Sequence, residues 1–227
     1  KEKYGKVYCF KGDVSKFFMS VNHGILKKLL YKRIHCRETM WLLDQIIRST
    51  ADQGDLNPKG MPVGNLTSQL FANIYLSELD YFMKYEKKNK YYVRYMDDFL
   101  VISPDKEYLH QLWKETADFL QDNLALSLNK KTAIFPVSQG IDFLGYRIWD
   151  NKILLRKGSI TRIKRAMKRF ERKIAAGSAD RNRIRAVLVS WLGHAEHANV
   201  PRLREKIILW SRENMGIELS KGGDTDV

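Results

Sequence analysis

The chain has 227 residues, with 40 Lys or Arg against 26 Asp or Glu and a formal charge of +14; it is long enough to bury a real core as one large domain or two modest ones, and its charge favours a polyanionic partner. No apolar run approaches the length of a membrane-spanning helix and no secretory leader pattern is visible, so the expectation is a soluble protein without a membrane partner. Cys9 and Cys36 are too few and too unpatterned for a disulfide framework, which points to a reducing cytoplasm.

The first predicted element is a strand over Val7 to Gly12, where Tyr8, Cys9 and Phe10 supply β-favouring side chains. It ends on Asp13, which could be a solvated strand end or a ligand-facing carboxylate. Phe17 and Phe18 follow, and in a strand one of the two must face inward. Gly60, Pro62 and Gly64 punctuate a loop. Gly64 would let the backbone approach a ligand, although a turn without a ligand is the alternative. Beyond it Leu66, Leu70, Phe71, Ile74, Tyr75, Leu79, Phe82 and Met83 recur at helical spacing, predicting a long helix over 65–84 whose stripe is core under a sheet.

Tyr91 to Tyr95 and Phe99 to Ile102 read as the two strands of a hairpin, with Met96, Asp97 and Asp98 at its tip. An Asp pair at a turn often just faces water. Here two adjacent carboxylates crowd negative charge at the edge of an apolar sheet, and Mg²⁺ relieves such crowding best because it takes hard oxygens and is completed by substrate phosphates. Pairing the hairpin with the first strand would gather Asp13, Asp97 and Asp98. Three acids around two cations about 3.5–4 Å apart describe two-metal phosphoryl transfer, one metal activating a 3′-hydroxyl and the other holding a triphosphate.

From Arg156 to Lys173 there are nine Lys or Arg residues and one acid, Glu171. Ile160, Ile163, Met167, Phe170 and Ile174 step by three and four along one face, while Arg162, Lys164, Arg165, Lys168, Arg169, Arg172 and Lys173 occupy the others. A merely solvated face would mix both signs, so single-sign charge favours phosphate contact. Ser159 is the expected N-cap and Gly177 the expected stop. Helices near 181–198 and 200–213 complete a three-helix unit. His194 and His197 lie three apart without a Cys partner or a Glu-x-x-His order, which favours structural or RNA-contact roles over a metal site. The segment Lys221 to Val227 is expected to fray.

These segments together resemble the reverse transcriptases from residue 11 to about residue 200. Asp13-Val14-Ser15-Lys16-Phe17-Phe18 resembles motif A, and Gly60-Met61-Pro62-Val63-Gly64-Asn65-Leu66-Thr67-Ser68-Gln69 resembles motif B. Tyr95-Met96-Asp97-Asp98 resembles motif C, Asn129-Lys130-Lys131-Thr132 motif D, and Phe143-Leu144-Gly145-Tyr146 the motif E primer grip. The resemblance implies an α+β fold: a right-hand polymerase palm of ferredoxin-like topology over 1–155, a helical thumb over 156–215, and a flexible tail over 216–227. It implies Asp13, Val14, Asp97 and Asp98 as ligands of two Mg²⁺ ions, for which Mn²⁺ could substitute. Lys131, with Lys130 as competitor, would protonate departing pyrophosphate. Lys16, Phe17, Phe18, Val63, Gly64 and Gln69 would surround the incoming dNTP, with Phe18 as steric gate or, alternatively, as core. Arg156, Lys157, Arg162, Lys164, Arg165, Lys168, Arg169 and Arg172 would contact the RNA template and DNA primer duplex.

Motif B narrows the resemblance. Val63-Gly64 stands where most relatives carry Gln-Gly, and Ser68-Gln69 where they carry Ser-Pro, a pattern similar to the reverse transcriptases of bacterial and phage diversity-generating retroelements. That group implies mutagenic cDNA synthesis and a small basic accessory protein; group II intron and retron enzymes are the near alternatives. The chain starts at Lys1 almost on motif A, without an initiator Met or the fingers segment, and so reads as a fragment that would hold a nucleotide poorly alone. A non-catalytic nucleic-acid-binding module is the competing functional class. A palm-type nucleotide cyclase is a third, against which the +14 charge argues.

Overall fold

Strand β1 (Tyr8–Asp13) is one of two central strands in a four-stranded antiparallel sheet of a computed structural model that describes residues 5–49, 57–62, 64–216 and 219. Val63 and nearly all of the 216–227 tail lie outside the described residues. The chain forms two compact units, Lys1–Val137 and Ser138–Val227.

In the first unit β1 is followed by the helical turn α1 (Phe17–Ser20) and helices α2 (His23–Tyr31), α3 (Arg37–Arg48) and α4 (Leu66–Tyr81). The hairpin β2 (Tyr92–Tyr95) and β3 (Asp98–Ser103), helix α5 (Lys106–Leu124) and strand β4 (Ala133–Pro136) complete it. The strand order β2-β3-β1-β4, all antiparallel, is the ferredoxin-like arrangement expected from the sequence. On the helix side of the sheet Phe10 meets Phe99 edge to face at 5.6 Å and stacks on Trp113 at 6.0 Å. Gly12 has to be glycine, because a Cβ there would lie 2.1 Å from the Phe99 ring. Buried Tyr75 of α4 donates its hydroxyl to the Leu124 carbonyl at 2.6 Å and accepts from the Asn22 amide at 3.3 Å, tying α2, α4 and the end of α5 together.

Three local expectations are corrected. Phe17 and Phe18 lie in a helical turn rather than a strand, so the choice between them is made by α1: Phe17 is buried and Phe18 half-buried. The α4 stripe runs through Phe71, Ala72, Tyr75, Leu76 and Leu79, whereas Leu66 and Leu70 in its first turns are 82% and 58% exposed. Periodicity continues to the helix end, but the packed neighbours do not. Past Tyr81 the helix widens into a π-turn over Phe82–Glu86, closed by Lys87 N–H to the Phe82 carbonyl at 2.9 Å, which keeps both Phe82 and Met83 buried.

The second unit begins with a three-stranded antiparallel sheet, β5 (Ile141–Phe143), β6 (Tyr146–Ile148) and β7 (Ile153–Leu155), and continues with α6 (Lys157–Ala175), α7 (Arg181–Glu196) and α8 (Pro201–Met215). The division between the two compact units falls after Val137. The cause is local pairing: β7 exchanges two hydrogen bonds with Asn199, at 2.7 and 2.8 Å, and Tyr146 of β6 bonds His194 of α7. The helices bury Ile163, Met167, Phe170, Ile184, Leu188, Leu192, Ile207 and Met215 as a core of their own. Ser159 does not cap α6. Arg156 is the cap residue, and buried Ser159 accepts instead from Trp191 Nε1 at 3.2 Å. Gly177 does end the helix: its amide bonds the Ile174 carbonyl and the Ser178 amide bonds the Lys173 carbonyl, both at 3.0 Å, as in a Schellman motif.

Candidate active site

The register of β1 on β3 sets Asp13 directly opposite Asp98, and Tyr95 pairs with Asp98 across the hairpin. The two-residue tip is therefore Met96-Asp97, with Met96 in the left-handed region at φ 54°. The Val14 amide donates to the Asp97 carbonyl at 3.2 Å, so the tip is fastened to the end of β1. Asp13, Lys11, Asp98, Leu100, Val93 and Tyr95 share the sheet face opposite the Phe10–Phe99 contact, since alternate residues point the same way.

Charge on this face is unevenly balanced. Lys11 Nζ donates to Asp98 Oδ2 at 2.9 Å, while Asp98 Oδ1 is buried with no hydrogen-bond partner. The Asp13 carboxyl is pushed above its usual range, first by burial and then by the neighbouring Asp97 and Asp98 charges, with Lys11 and Lys131 pulling it partly back. Among the described residues no group of three or more His, Cys, Asp or Glu side chains is arranged to hold a metal ion. The strand register thus brings the backbones of the three acids together, with one Asp98 oxygen paired to Lys11. What the site offers a cation is crowded Asp13 and Asp97 plus the buried, unpaired Oδ1 of Asp98. That donor set suits Mg²⁺, which is usually held by one or two carboxylates with substrate phosphates completing the shell.

The segment after α5 lies along the same edge. Ser15 N–H bonds the Ser127 carbonyl at 2.8 Å, Asn129 N–H bonds the Asp13 carbonyl at 2.7 Å, and the Asn129 side chain accepts from the Lys131 amide at 3.1 Å. Of the motif D lysines, Lys131 is the one whose charge acts on Asp13. The loop before α4 is stitched to α1 and to the residue that follows it: Met61 N–H bonds the Phe18 carbonyl and Gly60 N–H the Val21 carbonyl, both at 2.8 Å. Ser68 Oγ bonds the Pro62 carbonyl. Gly64 takes φ 100° in open space, Gln69 is exposed, and Lys16 holds a left-handed φ of 46° at the start of α1.

In the second unit Leu144 and Gly145 both have positive φ, 50° and 87°, forming the primed turn that a two-residue hairpin requires. Phe143 is buried, and the Tyr146 hydroxyl meets His194 Nδ1 at 2.9 Å and its carbonyl at 2.8 Å. His194 therefore has a structural role, and His197 caps the C-terminus of α7. Arg156, Lys157, Arg162, Lys164, Arg165, Lys168, Arg169 and Arg172 are all exposed. The one acid of this helix, Glu171, accepts from Trp210 Nε1 at 2.8 Å.

Four residues with clear structural connections were not predicted: Lys11, His23, Asp80 and Arg94. Asp80 breaks the apolar surface of α4, and Arg94 sits at an inward position of β2. An inward charge needs a partner, and that was the available signal.

Residues 1–148 match the family described as "Reverse transcriptase (RNA-dependent DNA polymerase)". The chain is 29% identical over 177 residues to Protein YkfC of Escherichia coli (strain K12), covering 62% of this chain and 46% of that protein. It is 23% identical over 204 residues to the Putative COX1/OXI3 intron 2 protein of Saccharomyces cerevisiae, covering 62% of this chain and 24% of that protein. It thus spans less than half the length of these curated relatives. Among solved structures, apo telomerase from Candida tropicalis aligns with a TM-score of 0.53 at 15% identity, over 94% of this chain and 48% of that one. Telomerase from Candida albicans in complex with the TWJ fragment of telomeric RNA aligns with a TM-score of 0.50 at 15% identity, over 95% and 46%. At these identities the structural likeness is one of fold.

Proposed function

The chain belongs to the reverse transcriptase (RNA-dependent DNA polymerase) family, and on that premise we propose that it is the catalytic part of an RNA-directed DNA polymerase extending a DNA primer on an RNA template. The observation that carries this reading is the meeting of Asp13, Asp97 and Asp98 at the β1–β3 edge, with Asp13 held above its usual range partly by the other two. Asp13, Asp97 and Asp98, with the Val14 carbonyl, would hold two Mg²⁺ or Mn²⁺ ions, which supply activation of the 3′-hydroxyl and neutralisation of the triphosphate.

The protein's own part is positioning and electrostatics. Backbone N–H groups of Lys16 and Phe17 receive the triphosphate, and Phe18 stands against the sugar and rejects a 2′-hydroxyl. Val63, Gly64 and Gln69 line the nucleotide's other side. Lys131, the lysine whose charge reaches Asp13, gives a proton to departing pyrophosphate. Phe143, Leu144, Gly145 and Tyr146 grip the primer, and the basic side chains of α6 follow the duplex backbones, giving sequence-independent, salt-sensitive affinity. We assign the enzyme to the diversity-generating retroelement type, with mutagenic cDNA synthesis and a small basic accessory protein, on Val63-Gly64 and Ser68-Gln69. Similarity to a yeast intron protein favours an intron-type enzyme as the second reading. Two free cysteines, Cys9 and Cys36, suit work in a reducing cytoplasm.

Nucleotide choice tests the reading. The full-length protein should add dNTPs to a primer on RNA and reject NTPs, and Phe18→Ala should raise NTP addition by about tenfold or more, a hydroxyl-sized discrimination. Binding of the same duplex with no addition of either nucleotide would leave a nucleic-acid-binding module.

A further inference from the structure

Arg94 makes four hydrogen bonds through its three guanidinium nitrogens. Its side chain is 9% exposed, on the helix side of the sheet. Nε and Nη2 donate to Asp80 Oδ1 and Oδ2 of α4 at 2.8 and 2.6 Å, and the Tyr92 hydroxyl donates to the same Asp80 Oδ1 at 2.7 Å. The remaining fork nitrogen, Nη1, donates to the Met96 carbonyl at 2.9 Å and reaches Asn73 Oδ1, also on α4, at 3.3 Å. Met96 is the left-handed residue of the turn that carries Asp97. An unbranched thioether side chain has no intrinsic reason to adopt that conformation, which Gly, Asn or Asp would normally supply.

We propose that Arg94 is a positioning residue for the Met96-Asp97 turn: clamped in plane by Asp80, it holds the Met96 carbonyl and so fixes where Asp97 stands relative to Asp13. A bidentate carboxylate sets the plane of a guanidinium, and the plane aims the third nitrogen; an ammonium is a single point with no such direction. Through Asp80 and Asn73 the turn is referenced to α4, the same helix whose first residues follow Gly64. Arg94 does not face the reacting atoms. It acts through the Met96 carbonyl, and the inference rests on the polymerase reading for its catalytic consequence.

The test uses the full-length protein as wild type, Arg94→Lys, which keeps the charge on Asp80, and Asp80→Asn, which keeps one acceptor. Two quantities are read: kcat against primer–template Kd in Mg²⁺-dependent extension, and amide hydrogen exchange over Tyr95–Asp98 in the absence of nucleotide. Arg94→Lys should lower kcat about 10- to 100-fold, the scale of a misplaced catalytic group, with Kd within about twofold, and exchange in the turn should rise about tenfold or more while the α4 amides stay protected. Asp80→Asn should move both quantities in the same direction by less. A pair that only glued β2 to α4 would lower the melting temperature and leave kcat and turn exchange at wild-type values, and that result overturns the inference. If the wild-type protein adds no nucleotide, the polymerase reading falls by itself. Turn exchange then decides the positioning claim, since exchange equal in Arg94→Lys and wild type refutes it.

Discussion

Asp13 and Asp98 face each other across β1 and β3, yet their environments differ in kind. Asp98 has Lys11 at 2.9 Å, whereas Asp13 sits in partial burial with two further carboxylates acting on it. A carboxyl whose folded pKa is raised binds its proton more tightly folded than unfolded. Stability is then lost as pH rises from the unfolded value near 3.8 through the raised folded value, and the ionised group is a liability at neutral pH. Asp13→Asn should therefore abolish extension and, in EDTA at pH 7, raise the melting temperature by a few degrees, as differential scanning calorimetry would show. A lowered melting temperature would mean that the crowding is already relieved by other groups. The acids were legible because carboxylates at strand ends and hairpin tips are conspicuous. Lys11 was not, since a lysine in an alternating strand reads as solvent-facing until register shows which acid lies diagonally across from it.

The elements follow from periodicity where packing is uniform and depart from it where packing stops. The hairpin, β1 and the amphipathic α6 were readable for that reason. Leu66 and Leu70 obey the α4 period but project beyond the core, and the break after Val137 was hidden because three-residue strands carry almost no alternation. His23, the first residue of α2, makes a contact that no periodicity shows. Its buried Nε2 donates to the Gly60 carbonyl at 2.7 Å while its amide bonds the Pro58 carbonyl at 3.1 Å, which holds the loop before α4. Burial is the main force lowering its pKa below 6.5, with Lys27 and Arg48 adding to it and the Gly60 bond and Asp44 opposing. A depressed histidine contributes stability that is present above the unfolded pKa and lost as pH falls through the folded one. The melting temperature should hold between pH 7 and 8 and decline below about 6.5, and His23→Gln should be less stable but flatter with pH over the same range. An identical pH slope in the two proteins would remove His23 as its origin.

Across the whole molecule, one unit carries the three clustered acids and the other carries predominantly positive charge along α6, whose apolar side chains belong to that unit's own hydrophobic core. Because Lys164 and Lys168 are exposed, replacing each with Gln should leave the melting temperature nearly unchanged. It should also reduce the slope of log affinity against log salt for an RNA–DNA duplex by about one for every phosphate that is no longer neutralised. An unchanged slope would place the duplex elsewhere. Mg²⁺-dependent extension of a DNA primer on an RNA template shows whether Asp97 and its neighbours make this family member a polymerase. The full-length protein is compared with its Asp97→Ala variant at matched duplex binding. Extension should require Mg²⁺ and disappear in the variant. Equal extension by both proteins, or none by either at undiminished salt-sensitive binding, would contradict the polymerase reading.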